Sequence, residues 1–237
     1  MKYLYLLVNF FTVIVPFIFS FHPRLKFYKH WKPFFTANFL VAALFTAWDI
    51  YFTQSGVWQF NPRYITGIYF INLPLEELLF FICIPYSCLF TYHCLTKFYK
   101  IEWRKDVEDI FCFLLSLCLF VAGIYFYEKL YTSVTFISTA FVLAILKYVF
   151  KIDWLAKLVT IYSVLLIPFL IVNGILTGTG PEEPVVIYNN AETLGIRILT
   201  IPFEDVFYGF ELIMLNVFFY NYFKNRFLTK NTLRAVK

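Results

Sequence analysis

The chain has 237 residues, 61% of them hydrophobic and only 15% charged, with a mean hydropathy of +0.70. A globular domain carries nearer a quarter charged residues, so this composition cannot wrap a soluble core in a wet surface, and lipid must be the solvent for most of it. The net charge of +5 does not point to nucleic acid, because the cations are spread by topology rather than gathered in a patch.

A membrane-spanning helix needs roughly 20 mainly apolar residues. Seven such stretches run in order through 3–21, 34–52, 67–93, 107–127, 132–150, 155–176 and 193–222. The first has only Lys2 as a charged flank and no small-residue cleavage site after Ser20, so it reads as a retained helix rather than a signal peptide. Counting crossings places the loops after the first, third and fifth helices and the carboxyl tail on one side. That side holds 16 of the 20 Lys and Arg, leaving Lys2, Arg63, Lys129 and Arg197 opposite. The positive-inside rule then sets the amino terminus outside and the carboxyl terminus in the cytoplasm. Five cysteines fall in or at the ends of apolar helices without zinc-type spacing. No G-x-G-x-x-G follows a strand, so no dinucleotide fold is expected. Trp58 and Tyr64 read as interfacial anchors.

An internal repeat organises the chain. Phe60 to Glu77 matches Tyr188 to Asp205 at a constant offset of 128 residues without a gap. Identical pairs are Asn61/Asn189, Gly67/Gly195, Ile68/Ile196, Pro74/Pro202 and Glu76/Glu204, and Glu77/Asp205 is conservative. The expected architecture is therefore an all-α membrane protein of about seven helices, with two parallel three-helix repeats joined by a connecting helix. The repeats occupy 1–93 and 132–237, and the connector occupies 94–131. Parallel repeats related by an axis along the membrane normal bring both Pro-x-Glu motifs to similar depth.

The acidic pairs admit two readings. Proline in the first turn followed by acids is a good helix start, and the motifs then do no more than begin helices. Alternatively, the apolar stretches before Pro74 and Pro202 belong to helices that the prolines kink, which puts the acids inside the hydrocarbon layer. Intramembrane acids are costly and usually mark a site. A dry apolar pocket favours the neutral form of an acid, which is then a proton donor for an apolar substrate. Asn61, Asn72, Asn189 and Arg197 are candidate substrate-binding or supporting residues, with Arg197 placed to pair with Glu204 or Asp205. Asp49, Asn173, Glu211 and Asn216 are further polar residues within the apolar helices.

The matched residues, Asn61…Gly67…Leu73-Pro74-Leu75-Glu76-Glu77 and Asn189…Gly195…Ile201-Pro202-Phe203-Glu204-Asp205, resemble those of the flavin-independent lycopene β-cyclases. These are membrane proteins found as two homologous subunits or as one fused chain, and this chain resembles the fused form. Asp205 stands where the first repeat has Glu77, and the family takes either acid there. The resemblance implies acid-catalysed closure of the ψ ends of lycopene to β rings, through γ-carotene to β-carotene, an isomerisation without net redox. It implies Glu76 and Glu204 as primary acid and base, Glu77 and Asp205 as their partners, a carotenoid and membrane lipid as the molecules met, no cofactor and no metal. A bacterial plasma membrane is the expected location. A transporter with paired intramembrane acids remains the alternative.

Overall fold

The computed structural model describes residues 2–235, with side chains described as far as Phe227. Lys237 lies outside the described residues, as do the side chains of Lys230 and Arg234 from the basic tail. Seven apolar α-helices follow one another: α1 (Leu4–Phe19), α2 (Trp31–Gln54), α3 (Leu75–Phe98), α4 (Lys105–Tyr125), α5 (Leu130–Ala144), α6 (Leu155–Thr177) and α7 (Glu204–Ala235). A π-helical turn at Ile145–Val149 extends α5. Six of these are long and apolar enough to cross a membrane. With its 16 residues, α1 is shorter and spans about 24 Å at 1.5 Å per residue. Large apolar side chains point outward along the helices, among them Phe11, Phe39 and Ile167 at 66%, 75% and 66% exposure. That outward face fits lipid and excludes water as the solvent.

Two helices begin later than the hydropathy implies. The stretches 67–93 and 193–222 read as continuous helices, but α3 starts at Leu75 and α7 at Glu204. Pro74 is extended, at φ −67° and ψ 151°, and a proline also disfavours the helical region for the residue before it. The prolines therefore precede helices rather than kink them. The apolar residues ahead of them form short hairpins instead, β2 (Tyr69–Phe70) with β3 (Leu73–Pro74) and β5 (Arg197–Ile198) with β6 (Ile201–Pro202). Each two-residue turn holds a bulky residue in the left-handed region, Ile71 at φ 60° and Leu199 at φ 58°. Glycine is usual there, yet Ile71 and Leu199 are about 70% exposed, so their side chains clear the backbone and face outward.

The two halves meet through a third ladder. Strands β1 (Trp58–Phe60) and β4 (Val186–Tyr188) pair antiparallel, with Trp58 opposite Tyr188, Gln59 opposite Ile187 and Phe60 opposite Val186. The Asn61 amide donates to the Val185 carbonyl and the Asn189 amide to the Val57 carbonyl, both at 2.8 Å. Adding 128 to each number on one side reproduces the other side, so the ladder lies across a local twofold axis.

Helix packing around that axis is unequal. α2 packs on α7, where the Asn38 amide donates to Asn216 Oδ1 at 3.2 Å and to the Phe81 carbonyl at 2.8 Å. Phe45, Trp48 and Phe52 of α2 fill the space beside Tyr131 and Tyr208, with ring centroids 5.0 to 5.8 Å apart. On the other side of the axis α6 stands away from α3, and a cavity opens there. Gly123 lets α4 lie close on α5, since a Cβ there would meet Ile137 Cγ1 at 2.6 Å. Small residues at such contacts are the common way for membrane helices to approach.

Candidate active site

Each motif supplies two acids, and helix geometry sends them in different directions. Successive residues on a helix are rotated by about 100°, so neighbouring carboxyls cannot share one face. Glu76 turns back to the preceding loop, where its Oε1 accepts the Thr66 amide at 2.6 Å. Glu204 does the same with the Leu194 amide, also at 2.6 Å. Both are fully buried. Thr132 Oγ1 also donates to Glu204 Oε1, and the Asn9 amide donates to the Glu76 carbonyl. The second oxygen, Oε2, of each glutamate meets no hydrogen-bond partner among the described residues.

The second acid of each motif faces the centre. Glu77 Oε2 accepts Tyr5 O–H of α1 at 2.6 Å. Asp205 Oδ1 accepts Tyr131 O–H of α5 at 2.5 Å, and its Oδ2 accepts Tyr188 O–H at 3.0 Å. Tyr5 and Tyr131 occupy matching places on the helix that opens each half. Glu77 and Asp205 are 7% and 4% exposed, and both line one cavity of about 590 Å³ between α1, α3, α6 and α7. That volume lies within the usual range for small-molecule pockets. The wall is otherwise mostly apolar, with Phe80, Ile84, Leu165 and Ile213 among its residues.

A third carboxyl reaches the same cavity. Asp49 of α2 is 2% exposed and its Oδ1 accepts Tyr208 O–H at 2.6 Å. Asp49 lines the cavity together with Glu77 and Asp205. No lysine, arginine or histidine lines the cavity among the described residues. Aromatic faces surround the acids: Trp58 stands edge-on to Tyr131 at 5.2 Å and to Tyr188 at 5.7 Å. Burial and the adjacent Asp205 push the Tyr188 phenol well above its ordinary range, so it remains a hydrogen-bond donor. Such π faces attract a cation held against them.

The remaining expected site residues support loops instead of lining the cavity. Asn61 Nδ2 donates to Glu183 Oε2 and the Pro184 carbonyl, at 2.9 and 3.2 Å, while its Oδ1 accepts the Arg63 amide. Asn189 Nδ2 donates to the Gly56 carbonyl at 3.2 Å and its Oδ1 accepts the Ala191 amide. Asn72 Nδ2 ties the first hairpin to the Ile50 carbonyl at 2.8 Å. Arg197 forms no ion pair with Glu204 or Asp205 among the described residues; it donates to the Thr200 carbonyl and Asn190 Oδ1, both at 2.7 Å. Its guanidinium lies 5.9 Å from the Tyr188 ring, so it borders the site through that ring. Trp58 and Tyr64 are not interfacial anchors. Both are buried, at 4% and 3% exposure, because the inter-repeat ladder folds over them.

Asp49 carried a readable signal, an acid within an apolar helix, but lay outside the duplicated motif. Tyr188 opened the second copy of the repeated segment, where the first copy has Phe60, whereas Tyr5, Tyr131 and Tyr208 had no distinguishing mark in a chain that is 23% aromatic.

A family model described as lycopene cyclase matches residues 2–95 and 128–223, most of the chain in two segments. A bifunctional lycopene cyclase/phytoene synthase of Aspergillus niger is 34% identical over 74 residues, which cover 27% of this chain and 13% of that protein. The match therefore spans a small part of that relative's own length. No solved structure matches.

Proposed function

The chain belongs to the lycopene cyclase family, and from that premise we propose that it closes the ψ ends of lycopene into β rings. One ring gives γ-carotene and two give β-carotene. The observation that carries this reading is the convergence of Glu77 and Asp205, the second acids of the two motifs, on one mainly apolar cavity. An acid protonates C2 of the terminal alkene and leaves a tertiary cation at C1. The C5=C6 electrons close the C1–C6 bond, and a base removes the C6 proton to restore a C5=C6 double bond. Substrate and product are isomers, so the enzyme is an intramolecular lyase of the isomerase class. A water-poor cavity protects the cation from capture, and the tyrosine and tryptophan faces stabilise it.

Glu76 and Glu204 serve by fixing the loops, and Asn61, Asn72, Asn189 and Arg197 hold those loops in register. One cavity between the halves accepts each end of the substrate in turn, because the matching space on the other side of the axis is filled by Phe45, Trp48 and Phe52. Residues 1–93 and 132–237 act as the two repeats around this shared site, with 94–131 connecting them. The distribution of Lys and Arg supports a carboxyl terminus in the cytoplasm.

The test is expression in a bacterial host that accumulates lycopene, with pigments separated by chromatography. γ-Carotene and β-carotene are the expected products. Unchanged lycopene with the protein inserted in the membrane would sink the reading, and an ε ring in place of a β ring would correct the site of proton removal.

A further inference from the structure

The cavity is charged at one end only. Its three carboxyls, Asp49, Glu77 and Asp205, stand where α3 and α7 begin. From Glu77 the lining continues down α3 through Phe80, Ile84 and Ser87 to Thr91. These residues are spaced by three or four, so they form one stripe along the helix. Glu77 and Thr91 are 14 residues apart in α3, roughly 21 Å at 1.5 Å per residue. The lining follows α1 from Leu4 to Pro16 and α6 from Tyr162 to Thr177, so the cavity is a groove that runs parallel to the helices.

The inner part of this groove offers no proton to a ligand. Thr12, Ser87 and Thr91 line it, and each hydroxyl donates to a helix carbonyl. Thr12 Oγ1 donates to Val8, Ser87 Oγ to Thr12 and Cys83, and Thr91 Oγ1 to Ser87, all at 2.8 to 2.9 Å. A hydroxyl has a single proton to give, and here it is already used. Acids at one end and an apolar floor at the other fit a molecule that reacts at its tip and is hydrocarbon behind it.

One edge of the groove is open. Phe11 of α1 and Ile171 of α6 line the cavity, yet they are 66% and 61% exposed. Residues that face both the cavity and the outside mark its mouth, and on the flank of two membrane helices that mouth meets the hydrocarbon layer. An apolar substrate dissolved there enters sideways without crossing water.

We propose that the cavity is a groove for the polyene chain, entered from the bilayer between α1 and α6, with the ψ end beside the acids and the conjugated chain running along α3 toward Thr91. This rests on the cyclase reading above and adds the direction of the substrate and its route in. An extended forty-carbon polyene is longer than the groove, so its far end stays in lipid through the open edge. That end reaches the acids only after the molecule has left and returned turned round.

The experiment compares the full chain as wild type, Thr91→Trp, Cys88→Phe, Ile171→Trp and Ile167→Trp in lipid vesicles. The substrates are lycopene and an acyclic twenty-carbon polyene with one ψ end. Wild type is expected to cyclise both. Thr91→Trp fills the inner end, so kcat/KM for lycopene falls about tenfold or more, as for other misfits in apolar pockets. The short chain ends before that point and is expected to change less than about twofold. Ile171→Trp narrows the mouth and lowers kcat/KM for both substrates by about tenfold. Ile167→Trp, one turn away on α6, 66% exposed and outside the cavity lining, leaves both unchanged. Equal falls on the two substrates in Thr91→Trp, or none on lycopene, overturn the proposal, because a general distortion does not discriminate by chain length. If Thr91→Trp is not recovered from the membrane, Cys88→Phe, which also lines the groove, decides by the same comparison. Wild-type kcat/KM in Ile171→Trp overturns the route of entry. Wild type that cyclises lycopene and not the short polyene also overturns the proposal, since the tip alone then does not seat beside the acids. Absence of cyclised product from either substrate in wild type is a different result, which removes the cyclase reading and the groove with it.

Discussion

Gln59 pairs with Ile187 at the centre of the ladder between β1 and β4, and 128 residues separate them. The same offset relates the two Pro-x-Glu motifs, so this pair sits where the local twofold axis crosses the backbone. From that axis the loops run outward alike. Each carries a glycine at positive φ, Gly67 and Gly195, each turns at a strained bulky residue, and each is clasped by the first glutamate of its motif. The side-chain environments then diverge, and the cavity lies on one side of the axis.

Replacing Glu76 or Glu204 by Ala removes the acceptor of a partly buried backbone amide, which costs about 1 kcal/mol. Each variant is expected to melt at lower temperature in detergent than wild type. Gln keeps an oxygen in place, so Glu76→Gln and Glu204→Gln are expected to lose less stability than the Ala variants. Equal melting of the Ala variants and wild type would contradict the clasp.

Gly209→Ala tests the cavity wall. A Cβ there would lie 2.9 Å from Tyr162 Oη, and that phenol donates to the Val206 carbonyl at 2.7 Å. Tyr162 must shift, and overpacking of this kind costs about 1–3 kcal/mol. A rise in KM for lycopene of about fivefold or more is expected, with kcat less affected. An unchanged KM would show that this wall does not meet the substrate.

Gly123→Leu tests the packing of α4 on α5. The Cβ alone would meet Ile137 Cγ1 at 2.6 Å and the Ser133 carbonyl at 3.2 Å. The helices must part, and the expected result is a large loss of recovered folded protein. Wild-type yield and melting would contradict the close approach.

Lys147→Met tests a charge cluster at the other end of the bundle. Lys147 pairs with Glu108 and Asp109, and the Lys147 and Glu108 side chains are only 10% and 12% exposed. Removing the cation leaves Glu108 beside Asp109, whose side chain is 44% exposed, so solvent screening holds the cost to about 1 kcal/mol. Thermal melting checks this, and a fall that vanishes in high salt would show the pair to be more solvated than its burial implies.

Seven helices, the repeat and the paired motifs were legible because lipid burial leaves a long apolar signal and because Gly, Pro and acids stand out against it. The hairpins at 69–74 and 197–202 were not, since outward-facing Phe70, Ile71 and Leu199 carry the same apolar signal as a helix. The distinction between Glu76 and Glu77 was also hidden. It depends on helix phase relative to a loop whose shape the sequence does not announce. Asp49 enters the site through the packing of α2 on α7, a contact between residues far apart in the chain, and no local pattern encodes it.

The most direct measurement is the rate of ring formation from lycopene in vesicles by wild type, Glu77→Gln and Asp205→Asn, each at equal folded abundance. Expected is ring formation by wild type and a fall of about 100-fold or more in both variants. Wild-type rates in either variant would contradict a site built from the two cavity-facing acids.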